Sequence, residues 1–436
     1  MTARRPHVVV VHRWRESYAL YTDAVDHATH AVTYVTTEVG RAGVPSAAAE
    51  VVVVGRTDDW SVVAPVVDGL VARWGRPAGV VALKEDDLLV GAALRARHGV
   101  PGPRVEELVP FRDKHEMCRR VAAAGVDVPA AALAHTADDV LRHAAEHGWP
   151  LVLKPVSGSS SEGVVRLDGP ADLLDVVLGA PRVVQPFVDA PIYHVDGVFD
   201  GTDVVVLRAS AYLNDCLAFR AGAGLGSVEE DDPALVAAIR RSAVASLAAL
   251  TDRPTVFHLE LFVDVATRRC RFLEVGARVG GAEVPLVWRE VHGVDLMAVA
   301  LDLQLGRPLR ALPDAAAGEE VAGWLLVPAP ARRPCRITRS RSMVGAVPGP
   351  YAERVLGVGD VLPDADAYYE HVGGRFRFRG RSRAEVEAAV RATLADFEVR
   401  GEAIDADVPE LWAGVGPRVG PGVVPATPVP DAVLPA

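Results

Sequence analysis

The chain has 436 residues, 50% of them hydrophobic and 24% charged, which is more than one core holds and excludes a disordered polypeptide. Its formal net charge of −11 offers no general attraction to nucleic acid or an anionic membrane, so an anionic ligand must meet local positive groups or a metal ion. Cys118, Cys216, Cys270 and Cys335 are scattered without C-x-x-C spacing, which argues against a disulfide framework or a zinc site and suits a reducing cytoplasm. The start reads as no signal peptide, and no apolar run approaches the roughly 20 residues of a membrane span.

Residues 7–105 alternate strand and helix patterns. Strands are predicted at His7–Val11, Ala31–Thr36, Glu50–Val54 and Gly79–Leu83. Helices are predicted at Ser17–His27, Pro65–Trp74 and Asp86–His98. That alternation predicts a parallel sheet with helices on both faces, whose ligands sit at the carboxyl ends of strands. His12, Arg13 and Trp14 lie at one such end, and Lys84 and Glu85 at another. Glu85 either touches substrate or starts the following helix. No G-x-G-x-x-G follows the first strand, so a dinucleotide role is not expected.

Phe111-Arg112-Asp113-Lys114 opens an amphipathic helix running to about Ala124 and stopped by Gly125. The apolar strand from Leu151 ends in Lys154. A lysine there either snorkels to water or binds an anion. Ser157 to Gly163 follow as a small, hydroxyl-rich loop, which lets backbone N–H groups approach a phosphate, though it is not a P-loop. Val183–Val188 is a further strand carrying Gln185. Ile192–Phe199 and Val204–Arg208 form a hairpin about Asp200-Gly201.

Two apolar strands then carry opposed acids. Phe257–Asp264 and Arg271–Arg278 flank a turn, and a turn centred near Thr267 places Glu260 across the ladder from Glu274 on one face. Carboxylates roughly 5 Å apart at Cβ repel unless a cation lies between them, and a divalent metal is the expected occupant. Arg278 follows on a Gly-flanked loop within reach of the same place.

Five ordered motifs between Arg112 and about Gly306 resemble the ATP-grasp superfamily, within it the carboxylate–amine ligases that include L-amino-acid (dipeptide) ligases. They are Arg112-Asp113-Lys114, Pro150–Pro155 with Ser161–Val164, Val184–Val188, His258–Phe262 and Phe272–Gly281. The resemblance implies an α/β and α+β chain. Its parts are an N-terminal Rossmann-like pre-ATP-grasp domain (1–108), the ATP-grasp small lobe (109–186) and large lobe (187–318), a C-terminal α+β subdomain (319–412) and a disordered tail (413–436). It implies that Lys114 and Lys154 hold the phosphates of ATP, with Ser161 and Gly163 in the loop closing over them. Gln185 and the backbone of Val188 would read adenine. Glu260 and Glu274 would hold Mg²⁺, and Arg278 would face an acyl phosphate. Catalysis would rest on Arg278 and Lys154. Three positions depart from the pattern: Gln185 stands for a common Glu, Ile192 for a ribose-binding Glu, and Gly276 for a metal-binding Asn.

Gly222, Gly224 and Gly226 read as a mobile loop beside the substrate pocket. Arg220 and Glu85 are substrate candidates with Arg278. His258 reads as a strand residue beside the metal pair rather than a base. Helices are predicted at Pro285–His292, Asp295–Leu305 and from Ser382 to Phe397, the last with a Ser382–Glu385 capping box. The basic run Arg332, Arg333, Arg336, Arg339 and Arg341 reads as a solvated loop or a lid. The implied partners are small-molecule acid and amine substrates, without nucleic acid or membrane, with a homodimer the common assembly. Two other functions fit the motifs: loading an acyl group onto a carrier protein or natural-product amine, and nucleotide-dependent regulation without turnover.

Overall fold

The computed structural model describes residues 5–214, 218–219, 221–313, 320–364 and 371–404. Arg220, Cys216 and the expected disordered tail lie outside the described residues.

Four Val-rich, buried strands open the chain: β1 (His7–His12), β2 (Ala31–Thr36), β3 (Glu50–Val53) and β4 (Pro77–Ala82). They pair in parallel in the order β3-β2-β1-β4, as the alternation of strands and helices demands. The expected helix at 17–27 is only Tyr21–Ala24. Tyr21 is fixed by its hydroxyl, 3.1 Å from His12 Nδ1. The helix expected from Pro65 begins at Trp60, because the Asp59 carboxylate caps it by accepting from Ser61 N at 2.8 Å.

A second sheet, in the order β5-β8-β6-β7, is built from β5 (Ala132–Ala134), β6 (Leu151–Pro155), β7 (Val165–Leu167) and β8 (Arg182–Pro186). The helix Lys114–Ala123 precedes it, capped by Asp113, whose side chain accepts from His115 N and Glu116 N.

The largest sheet has eight antiparallel strands in the order β13-β12-β9-β10-β11-β14-β18-β16. Its members are β9 (Ile192–Phe199), β10 (Val204–Tyr212), β11 (Leu225–Glu229), β12 (Thr255–Asp264), β13 (Arg269–Gly276), β14 (Val321–Pro328), β16 (Ala352–Val355) and β18 (Val372–Gly380). The strands of the C-terminal stretch thus extend the large sheet through the β11–β14 ladder rather than only packing against it. A small sheet joins β15 (Cys335–Ser340), β17 (Val361–Leu362) and β19 (Val399–Ala403). Arg336 and Arg339, expected in a loop or lid, therefore lie on β15 and are exposed.

One face of the large sheet is closed by the helices Lys114–Ala123 and Pro233–Ala248 around Tyr193, Phe257, Leu259 and Phe272. The other face is only partly covered, by the helices Val284–Val291 and Leu296–Gln304. Gln304 ties the second of these to the N-terminal sheet: its Oε1 accepts from Ala82 N and its Nε2 donates to Ala82 O, both at 2.7 Å. What stays open of that face is a cavity of about 700 Å³. Gly226 lies within β11, against Val390 and Leu213, while Gly222 and Gly224 of the run precede the strand. Ser382 caps its helix by accepting from Glu385 N, while Glu385 Oε2 accepts from Arg381 N, one residue before the cap.

Candidate active site

The opposed glutamates are the centre of the cavity wall. Glu260 on β12 pairs with Glu274 on β13, and on its other side with His194 on β9. The reason differs from the simple turn expected at Thr267. Asp264 pairs with Arg269 and Leu261 with Phe272, a register that by itself would set Glu260 against Leu273 and turn Glu274 to the opposite face. A bulge between these pairs leaves Leu273 unpaired, and Leu273 and Glu274 both line the cavity. One inserted residue re-aims the acid, the usual work of a bulge beside a functional site.

Two lysines join the glutamates, one at the end of β6 in the second sheet and one at the start of the helix Lys114–Ala123. Lys154, at the end of β6, is 4% exposed, and burial pulls its ammonium below the ordinary value while Glu274 opposes that shift. Lys114, the first residue of its helix, sits 3.4 Å from Glu274 Oε2 and donates to the carbonyl of Gly158 at 3.0 Å. Both lysines line the cavity, so the lysine at the strand end is turned inward rather than snorkelling to water. Ser161, with φ of 56° at Ser160 and 55° at Ser161 itself, also lines it. Gly163 does not: it holds a left-handed turn at φ 66°, and its carbonyl accepts from Arg182. Its role in the structure is to shape the loop, not to wall the cavity.

Gln185, on β8, and Val188, just after it, line the cavity. Gln185 is buried, and its amide nitrogen points to the carbonyl of Pro129 at 3.4 Å. Ile192 lies next to Phe262 in the ladder and gives this end an apolar wall.

Arg278 lines the cavity, but Glu85 does not. Glu85 accepts from Arg278 Nε at 2.6 Å and from Arg112 Nη1 at 2.5 Å. Burial would raise its carboxyl, but these two guanidinium groups outweigh burial and hold it below the ordinary value. In this arrangement Glu85 is the counter-ion of Arg278. Gly276 makes room for this arrangement, since an ideal Cβ there would lie 3.2 Å from Arg278 Cγ and 3.6 Å from Glu85 Oε1.

A buried network absent from the sequence expectations braces Glu260. Asp196 accepts from His194 at 2.6 Å and from His258 at 2.9 Å, and Tyr212 donates to Glu260 Oε1 at 3.0 Å. His258 Nε2 is 3.6 Å from the same oxygen. Burial pulls His258 down, but Asp196 overcomes this and pushes it up to about 9. Burial likewise raises Glu260, but His258 and Tyr212 outweigh it and keep the carboxylate ionised. The signal for this network was available as the spacing of His194 with Asp196 and of His258 with Glu260, each pair two apart on a strand and so on one face.

The residues fit a divalent metal by their chemistry. Two hard carboxylates face each other on one wall, and one of them stands 3.4 Å from a lysine that needs an anionic neighbour.

An antiparallel sheet, a second smaller lobe and a Rossmann-like leading sheet enclosing two lysines and two glutamates define the ATP-grasp fold, which is the fold of the carboxylate–amine ligases. No family model matches the chain. Among solved structures, an L-amino acid ligase from Bacillus licheniformis is similar with a TM-score of 0.70 and 20% identity, over 93% of this chain and 100% of that one. The biotin carboxylase domain of Hydrogenobacter thermophilus 2-oxoglutarate carboxylase, solved with MgADP, gives 0.66 and 15%, over 91% and 90%. N5-carboxyaminoimidazole ribonucleotide synthetase from Thermotoga maritima gives 0.65 and 13%, over 91% and 100%. By sequence, an L-arginine-specific L-amino acid ligase of Bacillus subtilis is 21% identical over 243 residues, 52% of this chain and 58% of that one. An uncharacterised protein of Sinorhizobium fredii is 35% identical over 179 residues, 38% of this chain and 37% of that one. The matches thus span less than two thirds of these two curated relatives. Among the described residues, no helix is long and apolar enough to cross a membrane.

Proposed function

We propose that the protein is an ATP-dependent carboxylate–amine ligase that forms an amide or peptide bond through an acyl phosphate, with an amino acid as a substrate. The observation that carries this reading is Glu260 opposite Glu274 in a cavity that Lys114 and Lys154 also line. Hydroxide is a poor leaving group, so a carboxylate does not condense with an amine unaided. Attack of the carboxylate oxygen on the γ-phosphorus of ATP makes an acyl phosphate and releases ADP. The amine nitrogen then forms the C–N bond, and phosphate leaves.

The first step brings anions together, so it needs positive charge already in place. Lys114 and Lys154 supply it to the phosphates. Glu260 and Glu274 would hold Mg²⁺, which when bound neutralises phosphate charge. Arg278, locked by Glu85, offers a guanidinium that can contact two oxygens of the acyl phosphate and of the departing phosphate. Gln185 and the backbone of Val188 would take the adenine, and the loop carrying Ser161 would shield the acyl phosphate from water.

The test is ADP release with Mg²⁺ and ATP over amino acids, singly and in pairs, with products read by mass spectrometry. Acid-dependent ADP release with an amide product is expected. ADP release at background across the panel rejects the proposal.

A further inference from the structure

Resting on the ligase reading, we infer that the acid substrate carries a neutral, apolar side chain of branched-aliphatic or aromatic size, seated over β10, β11 and β14. The cavity continues past Glu260 across the same sheet face. Tyr212 pairs with Ser227, and Ser227 with Trp324, so the wall extends four strands from β12 to β14, roughly 19 Å at about 4.8 Å per strand.

The polar groups along this extension are spent on one another. The Tyr212 hydroxyl goes to Glu260, Ser227 Oγ to His194 Nε2 at 2.7 Å, and His194 Nδ1 to Asp196. Asn214 is closed on the backbone of Gly224 and Gly226. What is left to face a ligand is hydrocarbon: Phe219, Leu225, Ala282, Val284 and the Trp324 ring. Trp324 is 4% exposed and adds no charge to this end. Among the described lining residues the carboxylates are elsewhere. Glu260 and Glu274 stand at the phosphates, and Glu162 and Asp189 belong to the loop after β6 and the stretch after β8. Among the described residues of this end none offers a counter-charge, so a guanidinium or carboxylate pushed against them would be buried unpaired, which is costly. An apolar side chain gains from the same burial. The B. subtilis relative is named for arginine, and this wall is built for a different side chain.

The experiment uses hydroxylamine as the amine, so the natural acceptor need not be known. Full-length protein, Mg²⁺ and ATP are supplied with L-leucine, L-methionine or L-phenylalanine, their deaminated counterparts, glycine, L-arginine or L-glutamate, and hydroxamate and ADP are both measured. The apolar acids are expected to exceed glycine, arginine and glutamate in kcat/KM by at least roughly tenfold. Phe219→Ala and Leu225→Ala are each expected to shrink that ratio, with KM for ATP unchanged; two variants are used so that one misfolding does not decide the matter. A preference for arginine or glutamate, or a ratio that neither folded variant moves, overturns the inference while leaving the ligase reading intact. Hydroxamate from no acid at all overturns the ligase reading, and this inference with it.

Discussion

Glu85→Gln isolates the device that holds Arg278. The amide keeps the shape of the carboxylate but loses the charge that accepts from Arg278 at 2.6 Å and Arg112 at 2.5 Å. A hydrogen bond to a charged pair contributes about 1.5–3 kcal/mol, against about 0.5–1.5 for a neutral one. Weakening two together amounts to about 2–3 kcal/mol, or roughly 30- to 150-fold if all of it falls on the placement of Arg278 in the transition state. The assay is steady-state ADP release with varied ATP and varied acid. We expect kcat to fall with KM for ATP unchanged, because Glu85 is absent from the cavity wall. The pH dependence adds a second check. Glu85 is held below its ordinary value of 4.5, since Arg278 and Arg112 outweigh the burial that raises it. The ion-pair stabilisation is therefore present above that value and lost as pH falls through the lower folded one. Denaturant unfolding should show this acid-side loss in the wild type and not in the variant. Wild-type kcat in Glu85→Gln, or a loss confined to KM for ATP, refutes the positioning argument.

Lys154→Ala and Glu274→Gln are each expected to abolish ADP formation with circular dichroism unchanged; wild-type turnover in either removes the phosphate and metal assignments. Chelation with EDTA should likewise stop ADP release and added Mg²⁺ restore it. Gln185→Ala should raise the Kd for ATP roughly 3- to 10-fold, the scale of one hydrogen bond, while leaving kcat at saturating ATP; unchanged affinity by calorimetric titration rejects the adenine placement. Gly280→Ala should lower both stability and activity, because its Cβ would fall 2.3 Å from Asp196 Oδ1 and 3.0 Å from His258 Nδ1. Overpacking of this kind costs about 1–3 kcal/mol, read as a lower denaturant midpoint, and a variant as stable as wild type contradicts the close packing of that loop.

Much of this molecule is local in origin and so legible along the chain. The valine runs of β1 to β4 are bounded by helical stretches, and that pattern alone dictates a parallel sheet. A lysine closing an apolar strand, a hydroxyl-rich loop after it and two acids in neighbouring strands mark a site for anions and metal from residue type and spacing. What spacing does not carry is which side of the sheet each residue meets. Glu274 faces Glu260 because one unpaired residue, Leu273, shifts the ladder late in the strand, and a bulge leaves no mark in composition. Glu85 is the anchor of Arg278 because residues 193 positions apart in the chain meet in the fold. The identities of the residues determined which chemistry is available; the tertiary packing, by setting register and long-range pairing, decided which groups face the cavity and which are consumed in holding them there.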